Sequence, residues 1–248
     1  MHGDERLAYR AGSTVENQAP LGSKLEISDG RTFRMAQCDT STALVVGRLS
    51  QSPVPANTVD EEVDTLAAGV RVITDPGTTV DLEATDLRGG YFMVDEVVQL
   101  DPLHQIETNT GIRATDADQQ AIPTITLVSP MVDAIAVGET ISYIHSPYRQ
   151  IIIHDSPPTA MMVGVPVQAM AVNVYGWIAT GGPARVLQDG ALEVGIGTSA
   201  STAVSGAVIL WVPETGTTTN VMYTGTALFT NPTTTRLGVV FLRGLDSN

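Results

Sequence analysis

Beyond Ser23 no apolar run of this chain continues far enough to make a helix of ordinary length before Gly, Pro or Asp interrupts it. The runs that survive alternate apolar and polar residues with the period of a strand. "SKLEISDGRTFRMAQ" sets Asp29-Gly30 between two such runs, the strongest short-range signal for a hairpin. "TALVVGRL" predicts another short strand, closed by the prolines of "SQSPVPAN", which cannot donate to a sheet ladder. "VRVITDPGTTVDLEAT" predicts a second hairpin that turns at Asp75-Pro76-Gly77, with Val80, Leu82 and Ala84 on one face. "GGYFMVDEVVQL" and "PTITLVSPM" suggest a further pair, and "GETISYIHSPYRQIIIH" gives strands on either side of Ser146-Pro147. Short strands at turn spacing favour a sandwich or barrel over a βαβ architecture.

A second break falls at "HDSPPTA". Past it, "VGVPVQAMAVNVYGWI" alternates through Val163, Val165 and Val167, then through Met170, Val172 and Val174. The buried phase slips by one residue, which in a strand flips every side chain. A bulge, or a strand passing between sheets near Pro166, accounts for this. "VYGWIATGGPARVL" then reads as strand, Gly-Gly-Pro turn and returning strand, and "ALEVGIGT", "GAVILWVP", "NVMYTGTALF" and "TRLGVVFLR" continue the pattern. Only "VDEEVDTLAAG" and "STAVSGAV" offer short helices. Residues 1–22 are polar and lack periodicity but carry Leu7, Tyr9 and Val15, so they predict an extended arm that either docks on a neighbour or frays. The expected fold is all-β: an arm over residues 1–22, a β-barrel or β-sandwich module over 23–150 and a second β-barrel module over 151–248.

Charge narrows the partners. The chain has 13 Lys and Arg against 27 Asp and Glu, a net charge of -14, and Lys24 is its sole lysine. Neutralising phosphates takes Lys and Arg, so neither nucleic acid nor an anionic membrane is an expected partner. The start, "MHGDERLAYR", lacks the apolar core of a secretory signal, and no run approaches the roughly 18 apolar residues of a membrane span, so a soluble chain made in a cytoplasm is expected. Cys38 is alone, which rules out an internal disulfide and a cysteine metal site, and no basic residue follows closely to activate it.

Constellations for catalysis are not apparent. The sequence has no Gly-x-Ser-x-Gly elbow, Walker loop, dinucleotide fingerprint or His-Glu-x-x-His pair. His145 and His154 sit near the ends of neighbouring runs and could converge, against a plainer reading as strand-end residues bonded to backbone or solvent. "DEEVD", Asp60 to Asp64, and the pair Asp116 and Asp118 lack the Gly and distal Glu of a calcium loop and read as solvated acidic surface. No catalytic residue, cofactor or metal is therefore expected. Tyr175 and Trp177 stand out among few aromatics. As i and i+2 on a strand they share one face, so burial in the barrel or at a subunit contact is favoured over a sugar-stacking platform. Gly176 between them suggests that another backbone passes close by.

Two stretches carry a family resemblance. "GRLSQSPVPANTVDEEVDTLAAGVRVITDPGTTVDLEATDLRGGYFMVDE" resembles tailed-bacteriophage virion structural proteins through a "G-x-L-x-Q-S-P" strand end and a "GGY-x-x-V" strand. "SPYRQIIIHDSPPTAMMVGVPVQAMAVNVYGWIATGGPARVL" is similar to the same group through an "NPY-x-x-x-I" type stretch, here with Ser146 in the first place, and "YGW-x-x-x-x-GPA-x-V-L". The resemblance covers about residues 23 to 210. The stretch "VPETGTTTNVMYTGTALFTNPTTT" departs from the pattern. The resemblance implies a head decoration, or cement, protein that binds the major capsid protein on the outer surface of the virion, often as a homotrimer, after assembly in the host cytoplasm. Leu7, Tyr9, Val15, Tyr175 and Trp177 are then the candidate subunit or capsid contacts. A tail or fibre protein that binds host glycans, and a carbohydrate-active β-sandwich module, are the rival readings.

Overall fold

The computed structural model describes residues 4–10, 12–14, 19–53, 58–62, 65–74, 84–95, 103–111, 124–211, 223–233, 235–243 and 245. It is all-β, with one four-residue helix, α1 (Glu5–Ala8), among the described residues. The chain divides into two compact units. Unit 1 takes residues 1–54 and 147–248, and unit 2, residues 55–146, is inserted into it. The expected division near residue 150 thus gives way to a discontinuous unit. Its physical cause is long-range pairing: β3 (Ser50–Gln51), just before the insertion, bonds to strands that lie just after it.

In unit 1, β1 (Lys24–Glu26) and β2 (Thr32–Gln37) form the hairpin expected from Asp29-Gly30. The Gly30 N–H donates to the Ile27 carbonyl at 3.0 Å and the Ile27 N–H to the Arg31 carbonyl at 2.9 Å. Gly30 sits at φ 85, the left-handed conformation that a three-residue hairpin loop requires at its last position.

Unit 2 holds β4 (Thr58–Glu62), β5 (Val72–Thr74), β6 (Tyr91–Val94), β7 (His104–Asn109), β8 (Thr124–Leu127) and β9 (Thr140–Ile144) in one sheet, ordered β4-β9-β6-β7-β8-β5. Its core gathers Ile73, Leu87, Phe92, Ile106, Ile125, Leu127, Ile141 and Tyr143. Three expectations change here. Residues 59–62 of "VDEEVDTLAAG" are strand rather than helix, because they belong to β4 and bond to β9. "GGYFMV" and "PTITL" do not pair with each other, since β7 lies between them. β5 forms and buries Ile73 against β8, while the turn and return of the second expected hairpin, residues 75–83, lie outside the described residues.

After the insertion come β10 (Ile152–Ile153), β11 (Met162–Pro166), β12 (Tyr175–Gln188), β13 (Gly197–Ala200), β14 (Ala207–Leu210), β15 (Tyr223–Phe229) and β16 (Leu237–Leu242). The organising element is β12. Its first half pairs with β2 and β11, from Tyr175↔Gln37 to Ala179↔Phe33, and its second half with β16, from Gly182↔Leu242 to Leu187↔Leu237. The predicted Gly-Gly-Pro turn is therefore absent, and one strand runs straight through it. Instead of reversing the chain, these residues carry a bulge between Ala179 and Gly181, with Gly182 at φ 79, and so hand the strand from one sheet to the next. The sheet change expected near Pro166 happens here. The bulge expected near Pro166 has a counterpart in β11, whose register against β3 shifts between Met162 and Gly164 before Val165 and Pro166 pair with β12; β11 then ends, and a loop with Asn173 at φ 59 reverses the chain into β12.

Beyond the switch, β12, β14, β13, β15 and β16 pair in that cycle and close into a five-stranded barrel. So narrow a barrel is filled by small side chains: Ala184, Val186, Ala200, Val208, Ala227 and Val240 are all buried. A buried pair of hydroxyls, Thr198 on β13 and Thr224 on the neighbouring β15, bond to each other at 3.0 Å. "STAVSGAV" forms bends and turns that lead into β14 at Ala207, rather than a helix.

Candidate functional site

The residues singled out from the sequence scatter. Trp177 is buried in the unit 1 core, on the sheet half of β12 and ahead of the barrel; it pairs across the strands with Met35. Tyr175 is half-buried beside it. The close approach inferred at Gly176 is made by a side chain, since a Cβ there would meet the Met170 sulfur at 3.2 Å. The arm is not wholly extended. The Asp4 carboxylate accepts from the Arg6 N–H at 3.0 Å and caps α1, and Ser13 and Tyr175 exchange backbone bonds of 3.1 and 2.7 Å. This part of the arm docks on its own chain. Ala8 is buried, while Leu7 and Tyr9 remain exposed, and Val15 lies outside the described residues.

His154 belongs to unit 1 and His145 to unit 2. The His154 ring nitrogens face the carbonyls of Asp155 at 2.6 Å and Ala207 at 2.9 Å, and His145 Nδ1 faces the Asp86 carbonyl at 3.1 Å. Cys38 is fully buried, its thiol aimed at the Thr42 carbonyl at 3.2 Å, and burial pushes its pKa above the ordinary value. Asp60 lies on β4, whereas Asp64, Asp116 and Asp118 lie outside the described residues. Among the described residues no three His, Cys, Asp or Glu side chains come together as a metal site.

What the sequence did not single out is the outer wall of the barrel. The Trp211 N–H donates to the Gly197 carbonyl at 2.8 Å, Gly197 pairs with Thr226, Thr226 with Phe241, and Phe241 with Pro183. One row thus crosses every barrel strand or its immediate end. Trp211 and Tyr223 are 40% and 38% exposed, Pro183 is exposed and Phe241 partly so. Their partners in the row leave room: a Cβ on Gly197 would come within 2.9 Å of the Tyr223 ring, so Tyr223 lies over the bare backbone there. Tyr223 meets Trp211 edge-on, with ring centroids 6.2 Å apart, and its hydroxyl bonds Thr226 Oγ1 at 2.8 Å. The Arg243 guanidinium covers the Phe241 ring at 5.2 Å. Ile196, whose carbonyl accepts from Ala227, is also exposed at the edge of this belt.

A second feature lies where β12 changes sheets. A cavity of about 300 Å³ is walled by Phe33, Val165, Ala179, Pro183 and Val239, with Arg31 and Arg185 at its rim. The arm contributes Tyr9 to it. No family model, curated protein or solved structure matches the chain.

Proposed function

We propose that this protein is a non-enzymatic virion component of the capsid-decoration type, which attaches to the outer surface of a phage head and bridges major capsid proteins. The observation that carries the reading is the aromatic belt, an apolar row on the outside of a closed barrel, on a chain whose net charge is -14. Exposed Trp and Tyr in a row of few charges are the residues that dominate protein contacts. The motif resemblance supports it from the sequence side. "G-x-L-x-Q-S-P" leads into and through β3, "GGY-x-x-V" forms β6, and "YGW-x-x-x-x-GPA-x-V-L" is β12. Self-association into a closed trimer is the expected state of the bound form.

The test is co-sedimentation of the purified chain with expanded, undecorated heads, together with its mass from light scattering. Saturable binding is expected, weakened at least about tenfold when Trp211 and Tyr223 are both changed to Ala, the loss of one hot spot. A chain that ignores the heads overturns the reading. A glycan-binding module is the second reading, favoured by the exposed Trp211–Tyr223 pair alone. It expects tryptophan fluorescence to be quenched by saccharides and the quenching to vanish in Trp211→Phe.

A further inference from the structure

We propose that the cavity at the sheet switch of β12 is a socket for a protein segment that carries a large apolar side chain beside a carboxylate. It adjoins the belt, with which it shares Pro183, but differs from it in shape: the belt runs over the convex wall of the barrel, and the socket is concave. Its floor is a row across three strands. Ala179 on β12 pairs with Phe33 on β2 and with Val165 on β11. Past Gly181-Gly182 these neighbours are gone and β16 takes over, with Val239 opposite Arg185. The gap left by the exchange of partners is the cavity, and its floor is apolar because the row beneath it is the sheet core.

Charge selects the occupant. Two arginines line the cavity, but the Glu5 and Asp29 carboxylates offset the charge of Arg31, so Arg185 is the cation that selects. Arg31 is already committed: its Nη2 lies 2.7 Å from Glu5, its Nε 2.7 Å from Asp29, and its Nη1 donates to the Tyr9 hydroxyl at 3.3 Å. This clasp ties α1 to the rim and fixes it before any ligand arrives, which lowers the ordering cost of binding. Arg185 is exposed, and among the described residues its guanidinium has no hydrogen bond or ion pair. A planar guanidinium matches a carboxylate with two parallel hydrogen bonds. A bare inorganic anion would satisfy Arg185 but would leave the apolar lining of Val46, Pro183 and Val239, exposed or partly so, uncovered.

Size and openness decide between a free molecule and a chain segment. At about 300 Å³ the cavity holds one large side chain, at the lower limit of small-molecule sites, and it is open on its solvent side. A free ligand needs most of its surface enclosed, whereas a side chain on a partner's backbone is held by its flanks as well.

The experiment is an NMR titration of the whole chain with acetyl-Phe-Glu-amide, acetyl-Phe-Gln-amide, acetyl-Ala-Glu-amide and free phenylacetate. Saturable shifts of the Ala179, Arg185 and Val239 amides are expected with the first peptide, about two- to fivefold tighter than with the Gln peptide, the span of an exposed ion pair. The Ala peptide and phenylacetate should bind more weakly still. Arg185→Gln should erase the Glu/Gln difference with no change in the unfolding midpoint, because the side chain is exposed. No saturable shift at those amides, or equal binding of the Glu and Gln peptides to the unaltered chain, overturns the socket. Phenylacetate binding as tightly as acetyl-Phe-Glu-amide overturns the assignment to a protein segment. None of these outcomes depends on whether the chain binds phage heads.

Discussion

The two tryptophans sit in opposite settings on the same unit. Trp177 is 4% exposed, on the sheet half of β12, and it packs with the core that also holds Met35 and Ala179. Trp211 is 40% exposed, just past the end of β14, and touches Tyr223 edge-on. An indole costs most to lose where it is fully enclosed and contributes most to recognition where it is not. The contrast therefore separates what holds the fold from what is offered to a partner, and the two roles belong to different halves of a single strand system.

The sharpest break in that contrast is truncation. Trp177→Ala should lower the free energy of unfolding by about 3–5 kcal/mol, the range for emptying a large aromatic site, while Trp211→Ala should stay within about 1 kcal/mol. Urea unfolding followed by circular dichroism compares the two. Equal losses would mean that Trp211 is a core residue and would remove the belt as a candidate site.

Next in size is the switch that separates the halves. Gly182 sits at φ 79, and a Cβ there would lie 3.1 Å from Arg31 Cα and 3.3 Å from the Gly30 carbonyl oxygen, both backbone atoms with little freedom to yield. Gly182→Val combines left-handed strain with crowding and should cost about 2–4 kcal/mol. Because Val is confined to the switch, the loss should appear at the socket amides as well as in the midpoint. A neutral result would mean that the Gly-Gly-Pro segment can take the strand through without its bulge.

On the Trp177 side, the segment after β2 is tied down by Asp39. Burial pushes this carboxyl upward, but the Ser41 hydroxyl at 2.5 Å and the N–H groups of Ser41, Thr40 and Thr42 outweigh it, so the pKa falls below the ordinary value. A carboxylate depressed in the folded state adds stability that is complete above its unfolded pKa of about 3.9 and is lost as pH falls through the folded value. Stability should therefore decline below about pH 4, and Asp39→Asn should flatten that part of the curve. The neighbouring Cys38 thiol, buried and held protonated, should react with maleimide only as fast as the chain opens. Prompt labelling at neutral pH would show that this segment is looser than its hydrogen bonds imply.

What could be read beforehand follows the range of the forces involved. The Lys24–Gln37 hairpin was legible because Asp29-Gly30 turns locally and both flanking runs alternate. The insertion was not, since it hangs on β3, two residues long, whose partners lie about a hundred residues away in sequence. β7 escaped notice because two of its inward positions are His104 and Asn109, leaving Ile106 as its only buried apolar residue. Gly181-Gly182-Pro183 was read as a turn because Gly and Pro punctuate both turns and bulges, and only the partner strands decide which. Tyr175 and Trp177 drew attention by spacing, yet Trp211 ends a run, Ala207 to Leu210, with no alternation to fix its phase. The one available hint was Gly197, bare in a strand, which marks a close approach whose source lies on other strands.

Gly197 also gives the finest test of the contrast. A Cβ on Gly197 would meet the far edge of a ring, Tyr223 Cε2 at 2.9 Å, rather than backbone. Tyr223 is partly exposed and can swing outward, so Gly197→Ala should cost less than about 1 kcal/mol of stability. The swing would separate Tyr223 from Trp211 and pull its hydroxyl from Thr226. The expected reading is a changed near-ultraviolet circular dichroism and Trp211 emission with an unchanged unfolding midpoint, together with weaker binding wherever the belt is used. If the spectra hold and the midpoint drops, the Tyr223 ring is fixed by packing, and the belt belongs to the barrel's own stability in the way that Trp177 belongs to the core.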